Sequence, residues 1–207
     1  YHEAKGGINL PKALDVTKGK GAVVAVIDTG VLNHADLKDN IVPGYDFISD
    51  VNTANDGGGR DQDATDPGDA VADGECGNNQ ASNSSWHGTH VAGTVAASTN
   101  NSIGIAGVAG EASILPVRVL GKCGGTDADI LDAMRWSAGI DVSGVPQNQH
   151  PAKVLNLSLG GQGACNQAWQ SAINDVVAKG SVVIIAAGND GQDVRDFSPG
   201  NCQNVIS

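Results

Sequence analysis

The sequence predicts an α/β domain built on a parallel sheet. Three observations predict it. Short apolar, β-branched segments alternate with longer segments of helical period. Glycine is abundant at 29 residues while aromatics make up only 3% of the chain, which favours close helix-on-sheet layering over an aromatic-rich sandwich. The 207 residues are 40% hydrophobic, enough for one domain with a sizeable core.

The strands come first. Ala22–Ile27, Ile114–Leu120, Lys153–Leu159 and Ser181–Ala187 are apolar without clean alternation, as strands buried on both faces should be. Three helices are expected between them. Gly88–Ala97 is rich in Ala and Val and follows Trp-His-Gly-Thr-His. Asp127–Ile140 has apolar positions at Ile130, Leu131, Met134 and Ala138, with Asp127 as its expected cap. Asn166–Lys179 carries Trp169, Ile173, Val176 and Val177 and stops at Gly180. Alternating strands and helices imply right-handed crossovers. Gly144–Pro151 reads as a polar surface loop, and Val205–Ser207 as the opening of another strand. Asp46–Glu75 differs in composition: it holds nine acidic residues and one base, Arg60. A segment that long should be tied down by something.

Twelve Lys and Arg against 23 Asp and Glu give a net charge of −11. That balance argues against nucleic acid or anionic lipid as the main partner. The longest apolar runs, Ala22–Ile27 and Val182–Ala187, are too short to cross a bilayer. No signal peptide is visible, and the chain begins at Tyr1, so its start is expected to have been processed or trimmed. Cys76, Cys123, Cys165 and Cys202 have no zinc-site spacing. An even number of cysteines in Gly- or Asn-rich stretches fits two disulfides of a secreted protein; four free thiols of a cytosolic enzyme are the alternative. Three connectivities are open.

Asp28 ends a buried strand, where sites form in open α/β sheets; a structural hydrogen bond there is the plain alternative. His87 opens a helix beside Gly88. Its imidazole could take a proton on one nitrogen while the other donates to a carboxylate. His87 and His90 could instead hold a metal, but no third ligand follows at a convincing spacing. Asn189 ends another strand and could donate to an oxyanion. Ser158 lies inside a strand with no base beside it in sequence.

These segments occur in a telling order. Val26-Ile27-Asp28-Thr29-Gly30, His87-Gly88-Thr89-His90-Val91-Ala92-Gly93, Asn100-Asn101-Ser102-Ile103-Gly104, Asn156-Leu157-Ser158-Leu159-Gly160-Gly161 and Ala186-Ala187-Gly188-Asn189 follow one another as in subtilases. The chain resembles that family of subtilisin-like secreted serine endopeptidases over nearly its whole length. The resemblance implies a doubly wound parallel sheet with helices on both faces. It also implies that residues 1–207 are an incomplete catalytic domain, with its C-terminal part missing and an acidic insertion at about 46–75. Asp28 would orient His87, His87 would be general base and then acid, and Asn189 would donate to the oxyanion. The family's nucleophile sits in a Gly-Thr-Ser-like helix start, and no Gly-Thr-Ser occurs here. The Ser is therefore expected beyond residue 207, in a C-terminal segment that is a separate or missing chain. These residues alone should be inactive.

The resemblance also places the substrate, a protein or peptide. An extended chain would pair with Leu120-Gly121 to Gly124-Gly125 and with Ser158-Leu159-Gly160. The main pocket, walled by Ser158–Gly161 and by Ala186, Ala187 and Gly188, should take large uncharged side chains. Ca2+ is the expected cofactor. A family-like site would use Asp36, Asn101 and the carbonyls of Ile103 and Ile105. A second would use Asp61, Asp63, Asp66 and Asp69, whose charges crowd one loop. The disulfides expected on this frame are Cys76–Cys123, fixing the substrate rim, and Cys165–Cys202, bracing the loop after Gly161. Two other classes compete. A calcium-stabilised module with a degenerate protease fold would lack the nucleophilic Ser. A metallohydrolase using His87, His90 and the acidic loop would lose activity to a chelator and ignore fluorophosphonates.

Overall fold

A computed structural model describes residues 7–207. Along the chain run α1 (Leu10–Leu14), β1 (Val23–Asp28), β2 (Tyr45–Asp46), α2 (Val51–Ala54) and α3 (His87–Ala96). There follow β3 (Ser113–Arg118), α4 (Asp127–Ser137), β4 (Val154–Leu157) and β5 (Gly161–Gln162). The last elements are α5 (Gln167–Ala178), β6 (Val182–Ile185) and β7 (Phe197–Ser198). Five strands form one parallel sheet in the order β2-β3-β1-β4-β6. β5 and β7 pair antiparallel in a small second sheet. Ile206 bridges in parallel to Ile184, so residues 205–207 extend the main sheet beyond β6.

Period-two alternation divides the core. Val24 and Val26 of β1 and Ile114 of β3 pack with Ala92 and Ala96 of α3. Ala25, Ile27, Leu115 and Val117 point the other way, to Ile130 and Met134 of α4 and Trp169, Ile173 and Val176 of α5. Helices therefore cover both faces. Tyr45, Phe47 and Trp136 close one end of the larger core, with ring centroids 5.0 to 5.7 Å apart.

The strands end earlier than the apolar runs suggest. β3 stops at Arg118, because the N–H groups of Val119 and Leu120 both turn to the Asp28 carbonyl. The cap of α4 is Thr126, not Asp127: the Thr126 hydroxyl accepts the Asp129 N–H, and Asp127 is the first helical residue. α4 ends at Ser137 rather than Ile140, where Asn148 donates to the carbonyls of Trp136 and Ser137. That contact buries Asn148, and Trp136 Nε1 donates to the Pro146 carbonyl, so the 144–151 segment is pinned against the helix.

The acidic 46–75 segment is held by arginines. Arg60 forks between Asp129 (2.6 Å) and Asp132 (2.9 Å), and its Nε also donates to the Phe47 carbonyl. Asp129 is buried, yet the Arg60 guanidinium and its other donors hold its carboxyl below the usual range. Arg118, fully buried, reaches Asp46, the Ala54 carbonyl, and Asp56 at 2.7 Å. The register sets Asp46, Arg118 and Asp28 side by side at the C-terminal ends of three adjacent strands.

Burial outweighs the pull of Arg118 and pushes the Asp46 carboxyl up to about 7. Removing the arginine would push that carboxyl higher still, so that near pH 8 it would have to take up a proton to stay buried, and Asp56 and the Ala54 carbonyl would lose their donor. Arg118→Met should therefore cost about 3–5 kcal/mol at pH 8 in urea unfolding. The loss should shrink as the pH falls through 7, because a protonated Asp46 no longer needs the cation. A loss unchanged between pH 8 and pH 5 would contradict this account.

Candidate active site

The site is assembled from two chain segments that meet at the end of β1. Asp28 is fully buried on the α3 face of the sheet. Its Oδ1 accepts the Thr29 N–H at 2.8 Å, and both carboxylate oxygens face His87 Nδ1, at 2.8 and 2.9 Å. Burial raises the Asp28 carboxyl above its ordinary range, although the His87 and Thr29 hydrogen bonds pull it down. The His87 ring is half exposed, at 46%, which leaves its other nitrogen the one available to a substrate.

His87 occupies the first position of α3. The residue before it, Trp86, has φ 52°, a left-handed conformation, and its side chain caps nothing. The buried amide at the helix start is met from outside the helix: the Thr29 hydroxyl accepts the Gly88 N–H at 2.9 Å. Thr89 does the reverse service, accepting the Leu32 N–H at 3.0 Å. Gly88 is required here, since a Cβ would stand 2.2 Å from the Gly30 carbonyl oxygen. The His-Gly-Thr motif is thus a docking surface for the strand end as well as the carrier of an imidazole.

Asn189 is exposed four residues beyond β6 and lines a cleft of about 810 Å3. Ser158, Leu159, Gly160, Gly161, Ala186 and Gly188 form its walls. Of the predicted walls, Ala187 is not among the lining residues. Ser158, Leu159 and Gly160 also line a hollow of about 540 Å3 that contains Thr29, His87, Leu120, Cys123 and Gly124. Gly125 joins Leu120 and Gly124 on a neighbouring hollow that again shares Leu159 and Gly160. His87, Asn189 and the predicted substrate residues other than Ala187 therefore line adjoining hollows that share Leu159 and Gly160, with Asp28 buried behind His87. The cleft also carries Asp190, a charge at odds with walls expected to be uncharged.

A family model described as "Subtilase family" matches residues 19–207. The chain belongs to the subtilase family. It is 57% identical over 208 aligned positions to an extracellular protease of Xanthomonas campestris pv. campestris, covering all of this chain and 36% of that protein. It is 52% identical to an extracellular basic protease of Dichelobacter nodosus, covering 91% of this chain and 32% of that one. The solved structure of a protease from Pseudoalteromonas arctica PAMC 21717 superimposes with a TM-score of 0.98 at 60% identity. That alignment covers all of this chain and 61% of the other. The chain thus spans about a third of the two curated subtilase relatives.

Cys76 is bonded to Cys123 and Cys165 to Cys202. The first bond ties the acidic loop to the 120–125 rim, where Lys122 also meets Glu75 at 2.8 Å.

The calcium expectations divide. Asp61, Asp63, Asp66 and Asp69 do not gather around a common point. Asp63 accepts the Thr65 N–H, Asp66 faces Gly68 and Thr29, and Asp69 faces Ser85. None of the four pairs with Arg60 or Arg118; each has its own backbone donor. Among the described residues no three His, Cys, Asp or Glu side chains cluster as metal ligands, which also removes the support for a centre on His87 and His90.

Of the other set, Asp36 and Asn101 meet. Asp36 is buried with no Lys or Arg partner among the described residues. It takes donors from Asn101 Nδ2 (2.7 Å) and the Ile105 N–H (2.9 Å), which lower its carboxyl pKa. Residues 98–106 form a bowl over it, and a Cβ at Gly104 would fall 2.2 Å from Asp36 Oδ2. Asn101 turns its amide nitrogen to Asp36 while its Oδ1 accepts the Ile103 N–H, so the amide would have to turn before its oxygen, the carboxylate and backbone carbonyls could serve as the hard donors that Ca2+ takes.

The 47-residue span closed by Cys76–Cys123 gives a further expectation. Replacing both cysteines by Ser should cost up to about 4 kcal/mol by loop entropy. It should also make residues 69–85 the first segment cut in limited proteolysis. Thermal melting and peptide mapping read both.

Proposed function

We propose that these residues are part of the catalytic domain of a secreted endopeptidase working by a Ser-His-Asp mechanism. The observation that carries this reading is the buried Asp28 bonded to His87 Nδ1 on a trench that also holds Asn189. The names of the extracellular relatives and the two disulfides support secretion. The nucleophilic Ser would lie outside residues 1–207, so this part alone should not hydrolyse peptides.

In the proposed reaction the Ser hydroxyl attacks the scissile carbonyl as His87 Nε2 takes its proton. Asp28 fixes the imidazole with its Nδ1–H toward the carboxylate, and its negative charge stabilises the imidazolium that forms. The Asn189 amide donates to the carbonyl oxygen as it becomes an oxyanion. His87 then gives the proton to the leaving amine. A substrate strand would lie between Leu120–Gly125 and Ser158–Gly160, pairing by backbone hydrogen bonds. The wide, small-walled cleft suits large apolar side chains, with Asp190 at its edge. Asp36, Asn101, Ile103 and Ile105 would hold Ca2+, which when bound supplies charge neutralisation and order for the 98–106 loop.

Full-length protein should be labelled by a fluorophosphonate and should cleave casein. His87→Ala should lower kcat about 10^4-fold or more, the scale known for triad histidines. Failure of the unsubstituted protein to take the probe would exclude the mechanism. Chelation should lower Tm by several degrees and raise cleavage within 98–106. Equal melting with EDTA and with calcium would exclude the metal.

A further inference from the structure

We propose that Asp66 is a positioning residue for the Asp28–His87 pair and acts through the hydroxyl of Thr29. The inference rests on the protease reading above and assigns a role to the acidic insertion that the reading does not need.

Thr29 has one hydroxyl proton and two lone pairs. The proton goes to Asp66 Oδ2, at 2.7 Å. With the donor direction fixed, the lone pairs turn to the Gly88 N–H at 2.9 Å. Thr29 follows Asp28 and Gly88 follows His87 in the chain. This oxygen therefore ties the strand end carrying the carboxylate to the helix start carrying the imidazole, beside the Asp28–His87 bond itself and the Leu32–Thr89 bond. At the helix's own start Trp86 caps nothing, and Ser85 Oγ accepts the His87 N–H only at 3.3 Å.

Asp66 is itself held in place. It is buried, and its Oδ1 accepts the Gly68 N–H at 2.8 Å. The stretch leading to it lies directly across the strand end: the Val31 N–H donates to the Ala64 carbonyl. A Cβ at Gly30 would stand 2.6 Å from that same carbonyl oxygen and 3.0 Å from the Asp66 nitrogen. Without the carboxylate, the hydroxyl is free to rotate and its lone pairs leave the helix amide. The imidazole then samples positions off the line to Asp28. Displacements of about 1 Å in catalytic groups cost up to about 100-fold in rate.

The test uses the full-length protein with a peptide substrate. Asp66→Ala and Thr29→Val should each lower kcat about tenfold or more while KM changes less than about twofold. The double variant should be no slower than the slower single, because both act on one hydrogen-bond chain. Thr29→Ser, which restores a hydroxyl, should recover most of the rate lost in Thr29→Val. Asp66→Asn, which keeps the volume and one oxygen acceptor, should fall between the unsubstituted protein and Asp66→Ala, and it carries the test if the alanine variant does not fold. An active parent whose Asp66→Ala and Asp66→Asn variants keep kcat overturns the positioning role. So do losses that multiply in the double variant. A parent that neither cleaves peptide nor takes a serine probe overturns the protease reading instead.

Discussion

The structure depends on one buried carboxylate. Asp28 stands at the end of a strand whose other residues are apolar and inaccessible, so its charge has no water to lean on. A carboxylate in that position must be hydrogen-bonded or it protonates. Its partners here are a backbone amide and an imidazole delivered from 59 residues away. Every feature that brings α3 to the strand end serves that contact. Gly88 lets the backbones touch, Thr29 meets the helix amide, and Thr89 ties the helix to the chain after β1. Because the partner imidazole is half exposed, the pair joins a fixed, dry orienting group to a wet, available base.

A second constraint is charge. The chain carries a net −11, and acidic residues cluster in the loop that must pass the strand ends. The structure answers with few cations, well placed. Arg118 rises from β3 between Asp46 and Asp28 in register and gathers Asp46 and Asp56. Arg60 does the same for Asp129 and Asp132. A guanidinium can serve two acids and a carbonyl at once, which an ammonium ion cannot do with fixed geometry. Breaking one such pair costs more than its presence adds, since the orphaned charge remains buried. The loop is therefore held at a few points of high cost, in addition to its disulfide.

Much of this was legible in the sequence. The four buried strands, the three main helices and the Asp28, His87 and Asn189 motifs are visible because apolar runs and glycine positions reflect steric need. The boundaries were less visible: β3 ends at Arg118 because two amides turn to one carbonyl, which no propensity encodes. The acidic loop misled in an instructive way. Carboxylate density suggests calcium, but density in sequence is not convergence in space. Short Asp-to-amide turns engage one oxygen of a carboxylate locally, as Asp63 with Thr65 and Asp66 with Gly68 show. Arg118 gave a signal that went unused: a lone base inside the apolar run Ile114–Leu120 must find acids, and the nearby loop supplies them. Thr29 was hidden inside a motif read only for its aspartate.

Asp190 shows how magnitude decides what a residue beside the cleft can do. It is the only charged side chain among the cleft-lining residues, and it is exposed. Near a protein surface, a pair of unit charges 4 Å apart interacts by about 4 kcal/mol at most, and salt lowers that further. An exposed ion pair contributes about 1 kcal/mol or less. Burying a large apolar side chain against Ser158–Gly161, Ala186 and Gly188 is worth about 1.5–3 kcal/mol. On the proposed reading, apolar fit outweighs charge in choosing the residue that enters the cleft. On the same reading the carboxylate, together with the net negative charge, would act earlier, drawing cationic segments toward the trench and speeding their arrival, while the small-walled cleft would decide which side chain stays.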